Sequence, residues 1–87
     1  MKYRLLIDWE VIEFLESLPR KEQGLLRNRF IAIQDHPNRF SDYTEPDSTD
    51  RLVDIHICGK YAIKFWEDHT DKHVKILDVH PADQSRR

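Results

Sequence analysis

The hydrophobic residues of this chain change their spacing part-way along it. Up to Asp35 they recur at intervals of three and four residues, whereas from Arg51 to His80 they alternate every second residue. The first spacing is typical of amphipathic helices with one buried stripe, and the second of strands with one buried face. The sequence therefore predicts an α+β fold, with the helices before most of the sheet.

Two helices are predicted before the change of spacing. The first follows Asp8, a good N-cap, and ends at Pro19. Its buried stripe consists of Val11, Phe14, Leu15 and Leu18. The second runs from about Lys21 to Asp35, and its apolar face consists of Leu26, Phe30 and Ile33. Two apolar stripes separated by so few residues predict a helical hairpin.

Four strands are predicted, one before the helices and three after them. Residues 2–7 (KYRLLI) form the first, and the alternating residues 51–66 form a hairpin that turns at Gly59 and Lys60. Residues 73–80 (HVKILDVH) are more continuously apolar, which predicts a central strand covered on both faces. The predicted order is β-α-α-β-β-β, with the N-terminal helical hairpin packed on a mainly antiparallel four-stranded sheet.

Length and composition predict a single domain over residues 1–87. The chain is too short for two domains, and 39% hydrophobic with 34% charged residues suits a folded protein. Residues 38–50 are polar and aperiodic and are predicted to be a loop, and residues 82–87 a tail. No apolar run approaches the roughly 20 residues of a membrane span, so no membrane association is expected. The lone Cys58 cannot form an internal disulfide, which fits a cytoplasmic protein.

The charge balance bears on nucleic-acid binding. A net charge of −2 argues against it, because phosphate contacts supply most of the non-specific affinity. A local basic patch is still compatible with the sequence, since several lysines are concentrated in the C-terminal half: Lys60, Lys64, Lys72 and Lys75.

Four segments, taken in order, carry a resemblance to a known family. Residues 14–19 (FLESLP) are like an L-x-x-L-P segment, and residues 36–40 (HPNRF) are like a P-x-x-x stretch before a variable loop. Residues 51–61 (RLVDIHICGKY) are similar to an R-x-R-V-G-x-Y-R hairpin, and residues 74–80 (VKILDVH) to a closing V-x-I-L-x-V-x-H strand. Together they span nearly the whole chain, which resembles the RelE/ParE toxins of bacterial type II toxin–antitoxin systems, some of which stabilise plasmids.

This resemblance implies a toxin that is neutralised by an antitoxin protein. RelE-like members are ribosome-dependent endoribonucleases that bind and cleave mRNA and so inhibit translation, and this activity is the leading hypothesis. The alternative is a non-catalytic binding protein on the same fold, either a ParE-like inhibitor of DNA gyrase or a degenerate toxin that retains only antitoxin binding. Neither hypothesis implies a cofactor.

The chain departs from the family at positions that matter for cleavage. Ala62 stands where the family usually has an arginine that contacts the scissile phosphate, and Pro81 replaces a second arginine. Asp54 and His56 occupy positions that many relatives fill with lysine or arginine. These departures keep the non-catalytic alternative open.

The chemistry of mRNA cleavage points to candidate site residues. Attack by a 2′-hydroxyl needs a general base, a general acid and cations that stabilise the phosphate charge. His80 matches a histidine that some relatives use on the last strand, with Asp78 on the same strand face to orient it. His56 is predicted as its catalytic partner. The predicted substrate-binding residues are Lys64, Lys60 and Arg51.

That prediction assumes that His56 and Lys64 share one face of the hairpin, opposite Ile55 and Ile63. The plain alternative is a solvated polar face without catalysis, with His80 closing the strand end through a hydrogen bond. Both interpretations stay open at this point.

No metal site is predicted. His69 and His73 have a zinc-like spacing, but the two histidines would straddle a turn and no second ligand pair accompanies them.

Overall fold

A computed structural model of the chain describes residues 3–82. The elements in chain order are β1 (Arg4–Ile7), α1 (Trp9–Glu16), α2 (Arg20–Asp35), a 3₁₀ helix (Pro37–Phe40), β2 (Tyr43–Pro46), β3 (Leu52–Cys58), β4 (Tyr61–Asp68) and β5 (His73–Pro81). The strands form one sheet in the order β1-β5-β4-β3-β2, in which β1 is parallel to β5 and the other pairs are antiparallel. Within the described residues, no helix has the length and apolar character to span a membrane.

The sheet has five strands, so the predicted count of four is wrong, although the α+β class and the helical hairpin are confirmed. The additional strand is β2, which lies inside residues 38–50, predicted to be a loop. It pairs with β3 at the edge of the sheet, where Pro46 is tolerated because an edge position does not need every backbone N–H. Three of its four residues are exposed, so its sequence shows no buried face that alternation could reveal.

The last strand, β5, is also placed differently from the prediction. It lies inside the sheet between β1 and β4, while β4 occupies the centre. Helices cover only one of its faces in the described part of the chain, so the predicted cover on both faces is wrong. At its end the Ala82 N–H donates to the carbonyl of Lys60 at 2.8 Å. The rest of the predicted tail, residues 83–87, lies outside the described residues.

Both helices pack on the same face of the sheet. The apolar core lies between the helices and the inner strands. The helices contribute Val11, Leu15, Leu26, Phe30 and Ile33, and the strands contribute Cys58, Tyr61, Ile63, Phe65, Val74, Ile76 and Val79. The predicted stripes of both helices therefore form the interface, with Phe14 and Leu18 partly buried at its margin. The opposite side of the sheet is called the open face here. The residues of β2 to β5 that point to this face include Tyr43, Glu45, Val53, Ile55, Ile57, Ala62, Lys64, Trp66, Lys75, Asp78 and His80.

Two tight turns join the last three strands. The predicted turn at Gly59 and Lys60 is confirmed, and Gly59 adopts a positive φ of 60°, which glycine tolerates without steric cost. In the next turn, Asp68 Oδ1 accepts the backbone N–H groups of Thr70 and Asp71 at 3.0 and 3.1 Å. An aspartate that caps its own turn in this way needs no other partner to order the loop.

The packing of α2 predicts a difference between two adjacent leucines. Leu26 is 0% exposed and Leu25 is 46% exposed. Leu26→Ala should lower the free energy of unfolding by about 2–5 kcal/mol because it leaves a cavity in the core. Leu25→Ala should change it by about 0.5 kcal/mol or less. Urea unfolding followed by circular dichroism measures both values, and equal losses would contradict the helix orientation.

Candidate functional site

The strand register places the candidate residues in rows across the open face. Ala62 stands opposite Ile57 on one side and His80 on the other. The next row consists of Tyr43, Ile55, Lys64 and Asp78. Residues that stand opposite each other in a ladder point to the same side of the sheet. His80 and Lys64 are therefore in adjacent rows of the open face.

His80 is oriented by an aspartate. Its Nδ1 lies 2.7 Å from Asp78 Oδ2, and the His80 side chain is 22% exposed. A carboxylate accepts at this distance, so the proton belongs on Nδ1 and leaves Nε2 as a proton acceptor. The prediction that Asp78 orients His80 is confirmed. A histidine held in this tautomer is suited to act as a general base.

Lys64 lies beside this pair but is not bonded to it. Lys64 stands opposite Asp78 in the ladder, whereas its Nζ lies 3.4 Å from Oε2 of Glu45 on β2. A partly exposed pair of this kind contributes at most about 1 kcal/mol. Glu45 therefore compensates part of the positive charge of Lys64. The Lys64 amino group can still turn from Glu45 to a bound anion.

Arg51 is fixed by two neighbours. Its guanidinium carbon lies 4.2 Å from the centroid of the Trp66 ring. Its Nη2 and Nε lie 2.9 and 3.1 Å from Asp47 Oδ2. Hydrogen bonds from Thr49, and then from Arg51, lower the pKa of Asp47 to about 2. The carboxylate is charged at neutral pH, and Arg51 forms a compensated pair on an aromatic ring.

His56 lies on the helix-covered face, so the prediction that it shares a face with Lys64 is wrong. The turn pairs Cys58 with Tyr61, which sets even-numbered residues of β3 opposite odd-numbered residues of β4. His56 thus stands opposite Ile63, and Lys64 stands opposite Ile55. The predicted two-residue turn at Gly59 and Lys60 already implies this alignment, but the prediction used only the alternation within each strand.

The buried surroundings of His56 satisfy both of its ring nitrogens. The residue is 7% exposed, and its Nε2 lies 2.6 Å from Arg29 Nη1 on α2. Its Nδ1 lies 3.1 Å from Asp42 Oδ2, which also accepts the Ile57 N–H. Arginine can only donate, so Nε2 accepts and Nδ1–H donates to Asp42. Burial lowers the pKa of His56, and the Arg29 charge adds to this against the opposing effect of Asp42.

Lys60 also lies away from His80 and Lys64. Its Nζ is 3.2 Å from Glu22 Oε2 on α2, and the hydroxyl of Tyr61 donates to the other oxygen of Glu22. The hydrogen bond to Glu22 raises the pKa of Tyr61 to about 12, and the same bond, followed by Lys60, lowers the pKa of Glu22. These contacts join the β3–β4 turn to α2. The structure does not bring Lys60 into the row of His80.

Lys75 is an open-face residue that the sequence reasoning missed as a site candidate. It stands opposite Trp66 in the ladder. Strict alternation along the last strand would put Lys75 on the face opposite Asp78 and His80. An irregularity between Lys64 and Phe65 shifts the register and brings all three to the same side. A bulge leaves no clear mark in the pattern of apolar residues, so no local signal identified Lys75.

One group of potential metal ligands occurs in the described residues. Ligand atoms of Asp68, Asp71 and His73 lie within 4.8 Å of one another, and His73 Nε2 is 3.7 Å from Asp68 Oδ2. The other oxygen of Asp68 caps the turn. His69 contacts the Tyr3 hydroxyl at 3.2 Å and does not join this group. The hydrogen bonds of the turn account for the arrangement without an ion.

Comparisons with known proteins identify the fold. No protein-family model matches the sequence, and neither does any curated protein. The archaeal RelE–RelB complex from Pyrococcus horikoshii contains a similar chain, with 23% identity, 100% coverage of both chains and a TM-score of 0.78. The chain has the RelE fold. A chain of the RelBE2 toxin–antitoxin complex from Mycobacterium tuberculosis shares this RelE fold at 17% identity and a TM-score of 0.76, covering 93% of this chain and 92% of the other.

A mutant of Escherichia coli toxin RelE in the free state has the same RelE fold. It is 15% identical, with a TM-score of 0.66, and the match covers 98% of this chain and 88% of that one. The RelE resemblance carried by the four sequence segments is therefore confirmed at the level of the fold.

The buried His56 predicts a specific dependence of stability on pH. In the unfolded chain, His56 takes up a proton near its ordinary pKa of 6.5. In the folded protein the pKa is lower, so the proton is taken up only at lower pH. The unfolded state thus binds more protons below about pH 6.5, so stability should fall as the pH is lowered through this range. The fall from one group cannot exceed about 1.4 kcal/mol per pH unit.

His56→Gln removes this titration and serves as the comparison. Urea unfolding at pH 7.5 and 5.5 should show a larger loss for the wild type than for the variant. The variant keeps every other histidine of the chain, so the difference between the two proteins isolates His56. Parallel losses in the two proteins would contradict a lowered pKa of His56.

Proposed function

We propose that this protein is the toxin of a type II toxin–antitoxin system and a RelE-like, ribosome-dependent mRNA endoribonuclease. The observation that carries the proposal is the His80–Asp78 pair, which lies on the open face of a RelE fold beside Lys64. A single domain over residues 1–87 carries this activity in the cytoplasm. None of the proposed steps uses a metal or a cofactor.

The proposed cleavage uses the tautomer that the structure favours. His80 Nε2 takes the proton of the 2′-hydroxyl, whose oxygen attacks the adjacent phosphorus. The bond from phosphorus to the 5′-oxygen breaks, giving a 2′,3′-cyclic phosphate and a 5′-hydroxyl. Asp78 stabilises the imidazolium, and Lys64 stabilises the additional charge on phosphate. His56 does not reach this site, so a water molecule protonates the leaving 5′-oxygen, and the hydroxide that remains takes back the proton from the His80 imidazolium.

An antitoxin is the proposed protein partner. The similar chains from P. horikoshii and M. tuberculosis come from RelE–RelB and RelBE2 complexes. At the edge of the sheet, β2 presents backbone groups that an extended segment can pair with, and the adjacent Tyr43 and Leu52 are exposed apolar side chains. Strand addition at β2 is therefore the binding mode that this edge favours.

Substitution of His80 tests the catalytic proposal. His80→Ala should lower the rate of mRNA cleavage by about 10²–10⁴-fold because it removes the general base. His69→Ala is the matched control, since His69 is a histidine in an exposed turn. Primer extension on mRNA in a purified translation system measures the cleavage. Wild-type protein that neither cleaves mRNA nor slows growth, or His80→Ala protein that cleaves normally, would refute the RNase proposal.

A non-catalytic binding protein on the same fold is the second candidate. The three predicted substrate-binding side chains each have an acidic partner, in the pairs Lys64–Glu45, Arg51–Asp47 and Lys60–Glu22. A phosphate would have to compete with these carboxylates, and the family's arginine positions hold Ala62 and Pro81. This compensation favours a protein ligand, which is DNA gyrase for a ParE-like inhibitor or the antitoxin alone for a degenerate toxin.

A supercoiling assay with purified DNA gyrase separates these candidates. A ParE-like protein should inhibit supercoiling without cleaving mRNA, and His80→Ala should inhibit as strongly as the wild type because no proton transfer is involved. A RelE-like protein should leave supercoiling unchanged. Antitoxin binding with neither activity would identify a degenerate toxin.

A further inference from the structure

The open face carries a second cluster, centred on Trp66. The guanidinium carbon of Arg51 lies over the indole, 4.2 Å from the ring centroid. Asp47 holds the same guanidinium through two contacts of 2.9 and 3.1 Å. The Arg51 side chain remains 37% exposed. A planar group is therefore fixed in orientation and still accessible.

The charge of this planar group is already compensated. Asp47 is ionised at neutral pH, so the Arg51–Asp47 pair has no net charge to attract a phosphate. What Arg51 still offers to a ligand is its planar, delocalised guanidinium, which lies on an aromatic ring. Proteins use such arginine and aromatic planes to stack unpaired nucleobases.

Lys75 provides an uncompensated charge next to the plane. It stands opposite Trp66 in the ladder. Within residues 3–82, its amino group forms no side-chain hydrogen bond or ion pair, which distinguishes it from Lys60 and Lys64. A lysine with this environment is suited to contact a phosphate.

The cluster lies in line with the proposed cleavage site. Ala62, Lys64 and Trp66 are alternate residues of β4, and Ala62 stands opposite His80. Four residues of antiparallel strand span about 14 Å. An extended single strand of RNA covers this distance in a few nucleotides.

We propose that Arg51, Trp66 and Lys75 form a nucleotide subsite for single-stranded RNA. One base stacks on the Arg51 guanidinium, and the adjoining phosphate contacts Lys75. The subsite rests on the proposed function in that RNA is the ligand, and it places the RNA along β4 relative to His80. An acidic peptide fits less well, because its carboxylates gain nothing from a guanidinium that Asp47 already neutralises.

Trp66 itself reports on the subsite. The chain has two tryptophans, so Trp9→Phe leaves Trp66 as the only one. Titration with a 2′-O-methyl RNA oligonucleotide, which cannot be cleaved, should quench Trp66 fluorescence to saturation. Arg51→Ala should raise the Kd about tenfold by removing the stacking plane. Arg51→Lys should not restore affinity, because an ammonium group is not planar.

The dependence of RNA binding on salt distinguishes the base-stacking role of Arg51 from the phosphate contact of Lys75. Lys75→Ala should raise the Kd and reduce the slope of log K against log salt by about 0.7, as expected for one lost phosphate contact. Arg51→Ala should leave the slope unchanged, because Arg51 contacts a base and no phosphate contact is lost. Arg27→Ala and Lys21→Ala, both on the exposed side of α2, are the matched controls and should change neither quantity.

Three results would overturn the subsite: Arg51→Lys binding as tightly as the parent protein, an unchanged slope for Lys75→Ala, or an oligoglutamate peptide that quenches Trp66 at lower concentration than RNA. The catalytic proposal fails separately. Arg51-dependent binding without cleavage would refute only the nuclease, whereas His80-dependent cleavage with Arg51-independent binding would refute only the subsite.

Discussion

The register of the β3–β4 hairpin is the constraint on which the rest of the structure depends. Gly59, at positive φ, allows a two-residue turn that pairs Cys58 with Tyr61. That pairing sends Ile63 and Phe65 into the helix-covered core and leaves Lys64 on the open face. A shift by one residue would exchange every side chain between the two faces and expose the core of the sheet. The hydrophobic energy of the core therefore fixes which polar groups can meet.

Two polar arrangements follow from this register. On the covered face, His56 joins α2 to the segment before β2 through Arg29 and Asp42, so a residue that resembled a catalytic histidine in sequence is a satisfied buried group. On the open face, Glu45 lies within reach of Lys64, and Asp47 within reach of Arg51. The edge strand and the turn after it therefore set the electrostatic character of the candidate site.

The RelE fold and the candidate site support different parts of the proposed function. The fold is shared with chains of the RelE–RelB and RelBE2 complexes, and on this likeness we based the proposal of an antitoxin partner. A nuclease requires an oriented base and a means of stabilising phosphate. The open face contains His80 held by Asp78, but its cations Lys64 and Arg51 are paired with acidic side chains. Lys75 is the exception among the residues considered, and it lies beside the stacked Arg51 and Trp66.

The sequence by itself determined the features that depend on local spacing. The helical stripes, the hairpin turn and the α+β class follow from intervals within single elements, and the His80–Asp78 pair follows from two residues on one strand face. Tertiary structure decided what depends on pairing between distant segments. The exposed strand β2 had no buried side to reveal it, and the bulge turned Lys75 toward the open face. Local sequence sets the period of an element, whereas the packing of the whole core selects its register.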